Sequence, residues 1–410
     1  MRVLYTIGIF FYRLGIAVAA LFQKKAALWQ KGRRGEFDKL SRAFAGQPRP
    51  VWIHSASLGE YEQARPLIER IKQERPDVKV LATFFSPSGY EVRKNDTLPD
   101  YVLYLPMDFP RNVRRFLDII NPQMAIFVKY EYWYNYLQEL SLRNIPFYHI
   151  CAIFRPGQYI FKPVGNWFAA HLRRSSGFFV QNEESAQLLK SIGIPQCTVC
   201  GDTRFDRVHA IASQPYSLDF VEQFGQGGKL IVAGSTWEPD EQLLAALMSR
   251  LQGYKLIVAP HELHRTEETV HFFSSFKVVK YSEMEGKKLT GYDVLVLDTI
   301  GLLSKVYKYS TLSYVGGAFK TGLHNILEAA VFGVPLFFGP KYQKFNEAME
   351  LVQQKGAFSI TSAEEMEGIV RRFDGEPDFY EKTCAICRHY VEANIGACDK
   401  IFNHIKNSIQ

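Results

Sequence analysis

From Val51 onward the chain alternates short apolar runs with segments of helical character, and it does so in two series. "VWIHSA" leads into the helical "EYEQARPLIERIKQER"; "VKVLATFF", "YVLYLPM", "MAIFVKY", "FYHICAI" and "GFFVQ" follow, with helical stretches among them. This βαβ rhythm predicts a parallel sheet covered by helices. "CTVCGDTRFDRVHAIAS" breaks the pattern, which restarts at "KLIVAGS" and runs on through "KLIVAP", "FKVVKY", "VLVLD", "LSYVGG" and "PLFFGP". The expected class is α/β, with two Rossmann-like domains joined near residues 203–215. The first covers 31–205. The second covers 206–410, and its last helix is free to pack back on the first. Doubly wound sheets bind ligands at the carboxyl ends of their strands, so a cleft between the two domains is the expected site.

Before this series stands "VLYTIGIFFYRLGIAVAALF", Val3 to Phe22, almost wholly apolar and nearly long enough to cross a bilayer. Arg13 interrupts it, and a central arginine costs about 2.5–3.5 kcal/mol on insertion scales. A basic cluster follows: Lys24, Lys25, Lys31, Arg33 and Arg34. Such a cluster favours the anionic cytoplasmic leaflet. "AVA" at 17–19 only weakly imitates a signal-peptidase site. Residues 1–30 are therefore expected to be an uncleaved membrane-associating segment, spanning or lying on the inner membrane, with the rest at its cytoplasmic face. A buried core helix is the competing reading. The formal charge of +7 favours an anionic partner. Because that charge is dispersed and no recognition motif appears, no nucleic acid is expected. Six cysteines are too few for a disulfide framework, and the pairs Cys197/Cys200 and Cys384/Cys387 lie too far apart for a zinc ribbon. Reduced core thiols and no metal are expected.

Chemistry is sought at the strand ends. "HSASLGE" places Ser57 and Glu60 at the spacing of a capping box, S-x-x-E. The same geometry puts a carboxylate at a helix N-terminus on the carboxyl edge of a sheet, where the helix dipole favours a negative charge. Glu60 is thus either a cap or a base able to accept a proton from an incoming hydroxyl. "SYVGGAFKTGLHNILEAAVFGVPLFFGP" carries Gly316, Gly317, Lys320 and Gly322 between a strand and a helix expected to open near His324-Asn325. Glycines let backbone N–H groups approach a phosphate, and a helix N-terminus favours its charge. Asn325 and Glu328 share a helix face, where a glutamate can hold ribose hydroxyls. Ser235, in "IVAGSTWEPDE", sits at another strand end, as a cap or a ligand contact. "HELHR" lacks the second histidine of HExxH, since Arg265 stands there, so a metalloprotease is excluded. His261 remains a candidate nucleotide contact. Arg111, Arg114 and Arg115 share one helix, as a solvated face or an anion patch.

Taken in order, "HSASLGE", "LPMDFPRNVRRFL", "YEYWYN" and "GLHNILEAAVFGVPLFFGP" resemble the 3-deoxy-D-manno-octulosonic acid (Kdo) transferases of lipopolysaccharide assembly, a GT-B glycosyltransferase family. The resemblance implies a GT-B fold and inverting transfer of Kdo from CMP-Kdo to a hydroxyl of the lipid A precursor, without a metal or other cofactor. It places Glu60 on the catalytic base. His261 and Glu262, then Ile300, Gly301 and Leu302, then Asn325, Ile326, Leu327 and Glu328 fall on the CMP-binding stretches. Ser235, Gly316, Gly317 and Lys320 are further donor candidates; Arg115 and Glu131 are acceptor candidates. Lys129 stands where the family commonly has an acidic residue, Leu302 where a glutamate is frequent, and Gly322-Leu323-His324-Asn325 where GGHN is common. The competing functions are another GT-B enzyme, using a nucleotide-diphosphate sugar or epimerising one, and a non-catalytic membrane-docked binder.

Overall fold

The computed structural model describes residues 2–320 and 322–409. The chain forms two compact units. One comprises the residues up to Arg207 together with those from Ile395 onward; the other is Val208–Asn394.

The first unit is built on a sheet of β1 (Val51–Ser55), β2 (Val80–Phe84), β3 (Tyr101–Tyr104), β4 (Met124–Val128), β5 (Phe147–Ala152), β6 (Gly177–Val180) and β7 (Cys197–Val199), ordered β3-β2-β1-β4-β5-β6-β7. Every pairing is parallel. Side chains alternate across the sheet, so successive residues of β1 serve opposite cores. Trp52 packs with Leu81, Phe116, Phe127 and Tyr136 on one face. Val51 and Ile53 pack with Val80, Ile126 and the helix Leu58–Glu74 on the other. Ile401, Phe402 and Ile405 of the helix Ala397–Ile405 complete that second face. Asp206 fastens this returning segment by accepting from the Gly396 and Cys398 amides at 2.7 and 3.1 Å.

Three helices precede the sheet: α1 (Arg2–Ala19), α2 (Lys24–Gly32) and α3 (Glu36–Phe44). By length and composition α1 could cross a membrane. Instead one stripe of it is attached to the folded unit. Ile9 is buried with Trp29 and Met107, and Tyr5 and Ile16 pack against the same cluster. The Tyr5 hydroxyl donates to Asp108 at 2.7 Å. The opposite stripe, with Val3, Ile7, Phe10, Phe11, Leu14 and Val18, is exposed. Of the two readings of this segment, the buried core helix fails: α1 is an apolar helix clamped along one side only.

The second unit carries β8 (Lys229–Thr236), β9 (Tyr254–Pro260), β10 (Val278–Lys280), β11 (Val294–Val296), β12 (Leu312–Val315), β13 (Leu336–Phe338) and β14 (Ala357–Ser359), ordered β10-β11-β9-β8-β12-β13-β14 and again parallel. Both sheets are thus wound outward from a central pair, β1/β4 in one unit and β8/β12 in the other. The carboxyl ends of such a pair are where doubly wound folds hold ligands.

Candidate active site

In the first unit, the segment after β1 turns directly into the helix Leu58–Glu74. Its N-cap is Ser57, in extended backbone, and Glu60 stands at N3. The Ser57 amide donates to Glu60 Oε2 at 2.7 Å, and the Ser57 hydroxyl donates to the same oxygen. The capping box therefore exists, but it uses one carboxylate oxygen. Oε1 makes no hydrogen bond among the described residues, and the side chain is half-buried. Cap and base are compatible in this geometry, because the cap fixes the rotamer that leaves the second oxygen available.

The neighbouring strand β4 is followed by Lys129, whose φ of 59° is unusual for a residue with a side chain. Two residues on, Glu131 Oε2 accepts from Trp133 Nε1 at 2.7 Å and lies 3.2 Å from His54 Nε2. His54 belongs to β1 and is fully buried. Its Nδ1 lies 3.1 Å from the Thr83 carbonyl oxygen and 2.9 Å from the Thr83 hydroxyl. Glu131 is thereby locked to the end of the β1/β4 pair. Sequence reading missed His54, a polar residue closing an apolar strand; that position was the available signal. Arg115 lies elsewhere on the unit. Its guanidinium stacks on Phe37 of α3 at 4.5 Å, and it is exposed together with Arg111 and Arg114.

In the second unit, the central pair ends in two tight turns that interlock. Ser235 adopts φ 54° where the β8–β9 register shifts. Gly316, after β12, packs so closely on it that a Cβ would lie 2.4 Å from the Ser235 carbonyl oxygen. Gly317 has φ 95°, and a Cβ there would lie 2.5 Å from the Gly322 carbonyl oxygen. Both positions therefore require glycine. Asp240, buried, pins the turns by accepting from the Trp237 amide at 2.9 Å, the Gly317 amide at 3.0 Å and the Tyr314 hydroxyl at 2.7 Å. Sequence reading missed Asp240 too.

His261, just after β9, stacks on His324 at 4.2 Å, and Trp237 touches both, its ring 5.0 Å from His261 and its Nε1–H donating to His324 Nε2 at 3.4 Å. Burial and the facing His261 push the His324 imidazole down to about 4, and burial lowers that of His261. The pair is thus neutral and hydrogen-bonding near pH 7. Asn325 Nδ2 donates to Glu328 Oε1 at 3.1 Å, while Asn325 Oδ1 accepts from the Leu327 amide at 3.3 Å. The helix here is only Leu327–Ala330, so the expectation that it opens at His324-Asn325 is corrected. Asn325 holds a preceding turn by capping it, and one helical turn supplies little dipole. Ile326 and Leu327 send their side chains into the core, leaving only their backbone to face a ligand. Ile300 is 82% exposed beyond β11, Gly301 follows with φ 93°, and Leu302 caps the short helix Leu303–Val306. Glu262 and Lys320 are exposed.

Residues 28–207 match the family model described as 3-deoxy-D-manno-octulosonic-acid transferase. The chain is 26% identical over 350 residues to the 3-deoxy-D-manno-octulosonic acid transferase of Aquifex aeolicus, covering 81% of this chain and 89% of that one. It is 26% identical over 377 residues to that of Haemophilus influenzae, covering 88% and 87%. Among solved structures, a glycosyltransferase from Rickettsia africae shares its fold with a TM-score of 0.57 at 11% identity, covering 88% of this chain and 100% of the other. The two Rossmann-like units are those of a GT-B glycosyltransferase fold.

Proposed function

We infer that this chain, which over residues 28–207 belongs to the Kdo transferase family, is a glycosyltransferase that moves Kdo from CMP-Kdo to a hydroxyl of the lipid A precursor. The observation that carries the mechanism is the state of Glu60: Oε2 is held in the cap of a 17-residue helix, and Oε1 is left to accept a proton. The incoming alcohol gives its proton to that oxygen as it attacks the anomeric carbon, and CMP departs from the opposite side, so configuration inverts. General-base assistance of this kind contributes about 10²–10⁴-fold.

The second unit supplies the donor's surroundings. The neutral His261/His324 stack and the Asn325–Glu328 pair suit a nucleoside, which offers a flat base and ribose hydroxyls. The glycine turns 316–317 let backbone approach the phosphate, and Lys320 adds charge beside them. Backbone donors and a lysine stabilise a departing phosphate without a metal. Glu131, fixed by His54 and Trp133, is assigned to the acceptor, as is Arg115, whose exposed guanidinium suits a phosphorylated lipid.

Membrane association follows from α1. Its exposed apolar stripe and the neighbouring lysines fit a helix lying in the interface of an anionic leaflet, on the cytoplasmic face of the inner membrane. Attachment through Tyr5 and Ile9 favours this in-plane placement over a span. Product mass after incubation of the purified protein with lipid A precursor and a CMP-Kdo supply tests the assignment. A Kdo increment is expected; no increment, or turnover of UDP-sugars instead, contradicts it.

A further inference from the structure

Arg13, the lone charge in the apolar helix, has a location that membrane association by itself does not explain. It lines a cavity of about 410 Å³ beneath α1, together with Trp29, Arg33, Arg34, Glu36 and Met107. Three guanidinium groups therefore converge on one small space at the base of the helix whose outer face is apolar. They are not equivalent. Arg33 is consumed by the fold: it donates to the carbonyls of Leu105 at 3.1 Å and Phe85 at 2.9 Å and stacks on Trp29 at 3.8 Å and Tyr104 at 4.6 Å. Among the described residues Arg13 and Arg34 make no close ion pair, Arg13 feeling the Glu36 carboxyl only at longer range, and both are exposed at the rim.

The walls also present polar groups without partners. Trp29 is 7% exposed, and its Nε1–H has no acceptor among the described residues. Glu36 Oε2 is likewise buried with no partner. A buried donor left unmade costs about 1–3 kcal/mol, so a site that keeps one beside two uncommitted guanidiniums is built to receive an acceptor-rich anion. The size suits a tetrahedral oxyanion with part of what it is attached to. The position, under a helix laid on the membrane surface, identifies the carrier as a lipid headgroup.

We propose that the cavity beneath α1 binds the phosphate monoester of a membrane lipid, with Arg13 and Arg34 supplying charge and the Trp29 indole N–H a fixed donor. This goes beyond the transfer reaction but rests on the placement of α1 in the interface. Phosphate monoesters offer three acceptor oxygens and nearly two charges, matching two cations plus directed donors better than a diester does.

Glu36 sets a pH dependence. Burial pushes its carboxyl up to about 7, against Arg33, Arg13 and Lys39. Facing it are Arg13 from α1, Arg33 and Arg34 from the α2–α3 turn, Lys39 from α3 itself and the phenol of Tyr136. A phosphate dianion is repelled by the carboxylate and can accept from the carboxylic acid. Binding therefore takes up a proton at Glu36, which weakens it as pH rises from 7 to 8.5, and Glu36→Gln separates this effect from the phosphate's own second ionisation.

The test uses the full chain and needs no donor sugar, so its failure is distinguishable from failure of the transfer assignment. The indole N–H resonance of Trp29, assigned by its loss in Trp29→Phe, is followed during titration with short-chain phosphatidic acid, short-chain phosphatidylglycerol and inorganic phosphate. Phosphatidic acid is expected to shift it saturably, at least tenfold more tightly than either of the others. Arg13→Gln and Arg34→Gln are each expected to weaken that binding about tenfold with the melting temperature unchanged, and Glu36→Gln to abolish the loss of affinity between pH 7 and 8.5. Lys190→Gln, exposed and outside the cavity, should leave the shift intact. No shift with phosphatidic acid, an equal response to the diester or to free phosphate, or unweakened binding by both arginine variants overturns the proposal.

Discussion

The Tyr5 hydroxyl of α1 donates a 2.7 Å hydrogen bond to Asp108, a buried carboxylate in the loop after β3. Asp108 also accepts from the backbone amides of Asn135 and Tyr136 at 3.2 Å each, so it joins α1 to the start of the helix Tyr134–Leu142. A bond to a charged group is worth about 1.5–3 kcal/mol. Tyr5→Phe should therefore lower the melting temperature of the first unit by several degrees and speed amide exchange in α1; unchanged exchange there contradicts the clamp.

The same carboxylate has a pH signature. Burial pushes Asp108 up to about 6, overriding the donors that lower it. A carboxyl raised above its unfolded value of about 3.9 stabilises the fold below pH 4 and loses that contribution as pH climbs through 6. Between pH 4 and 7 this site alone removes roughly 3 kcal/mol. Denaturant midpoints of the wild type and Asp108→Asn should diverge over that window by this amount, and parallel midpoints would refute the assignment.

The outward face of α1 predicts a separable membrane defect. Phe10 and Phe11 are 55% and 63% exposed, and each buried phenyl is worth about 1.5–3 kcal/mol. Replacing both by glutamate should weaken sedimentation with anionic vesicles at least a hundredfold while leaving the melting temperature within a degree or two. Undiminished vesicle binding would show that the membrane is held by another surface.

The donor site should respond in KM before kcat. Glu328→Ala removes the partner of Asn325 Nδ2 and the proposed ribose acceptor. A rise in the donor Michaelis constant of about tenfold, the loss of one or two hydrogen bonds, is expected. An unchanged constant with a lowered kcat would move Glu328 out of donor binding.

Much of this architecture is legible in the residues. Each apolar run from "VWIHSA" to "PLFFGP" became a strand, because runs rich in β-branched and aromatic residues between helical segments have few alternatives in a soluble core. β7 and β14 escaped notice. Each is a three-residue edge strand, and their pairing is decided by the sheet they join. The Ser57/Glu60 cap was readable because it is local in sequence. The hold of His54 on Glu131, and of Asp240 on Gly317, was not, since those partners meet only after strands far apart in sequence come side by side. Arg13 interrupts an apolar helix in the sequence; in the fold it lines a polar cavity.

The central claim is that Glu60 takes a proton during Kdo transfer rather than only capping a helix. Glutamine at N3 keeps a capping box but cannot serve as a base, so Glu60→Gln separates the two roles. The rate of Kdo addition to lipid A precursor, measured by product mass beside CMP affinity and melting temperature, should fall at least a hundredfold with both controls unchanged. A rate within a few-fold of the wild type would leave Glu60 as a cap and contradict the account.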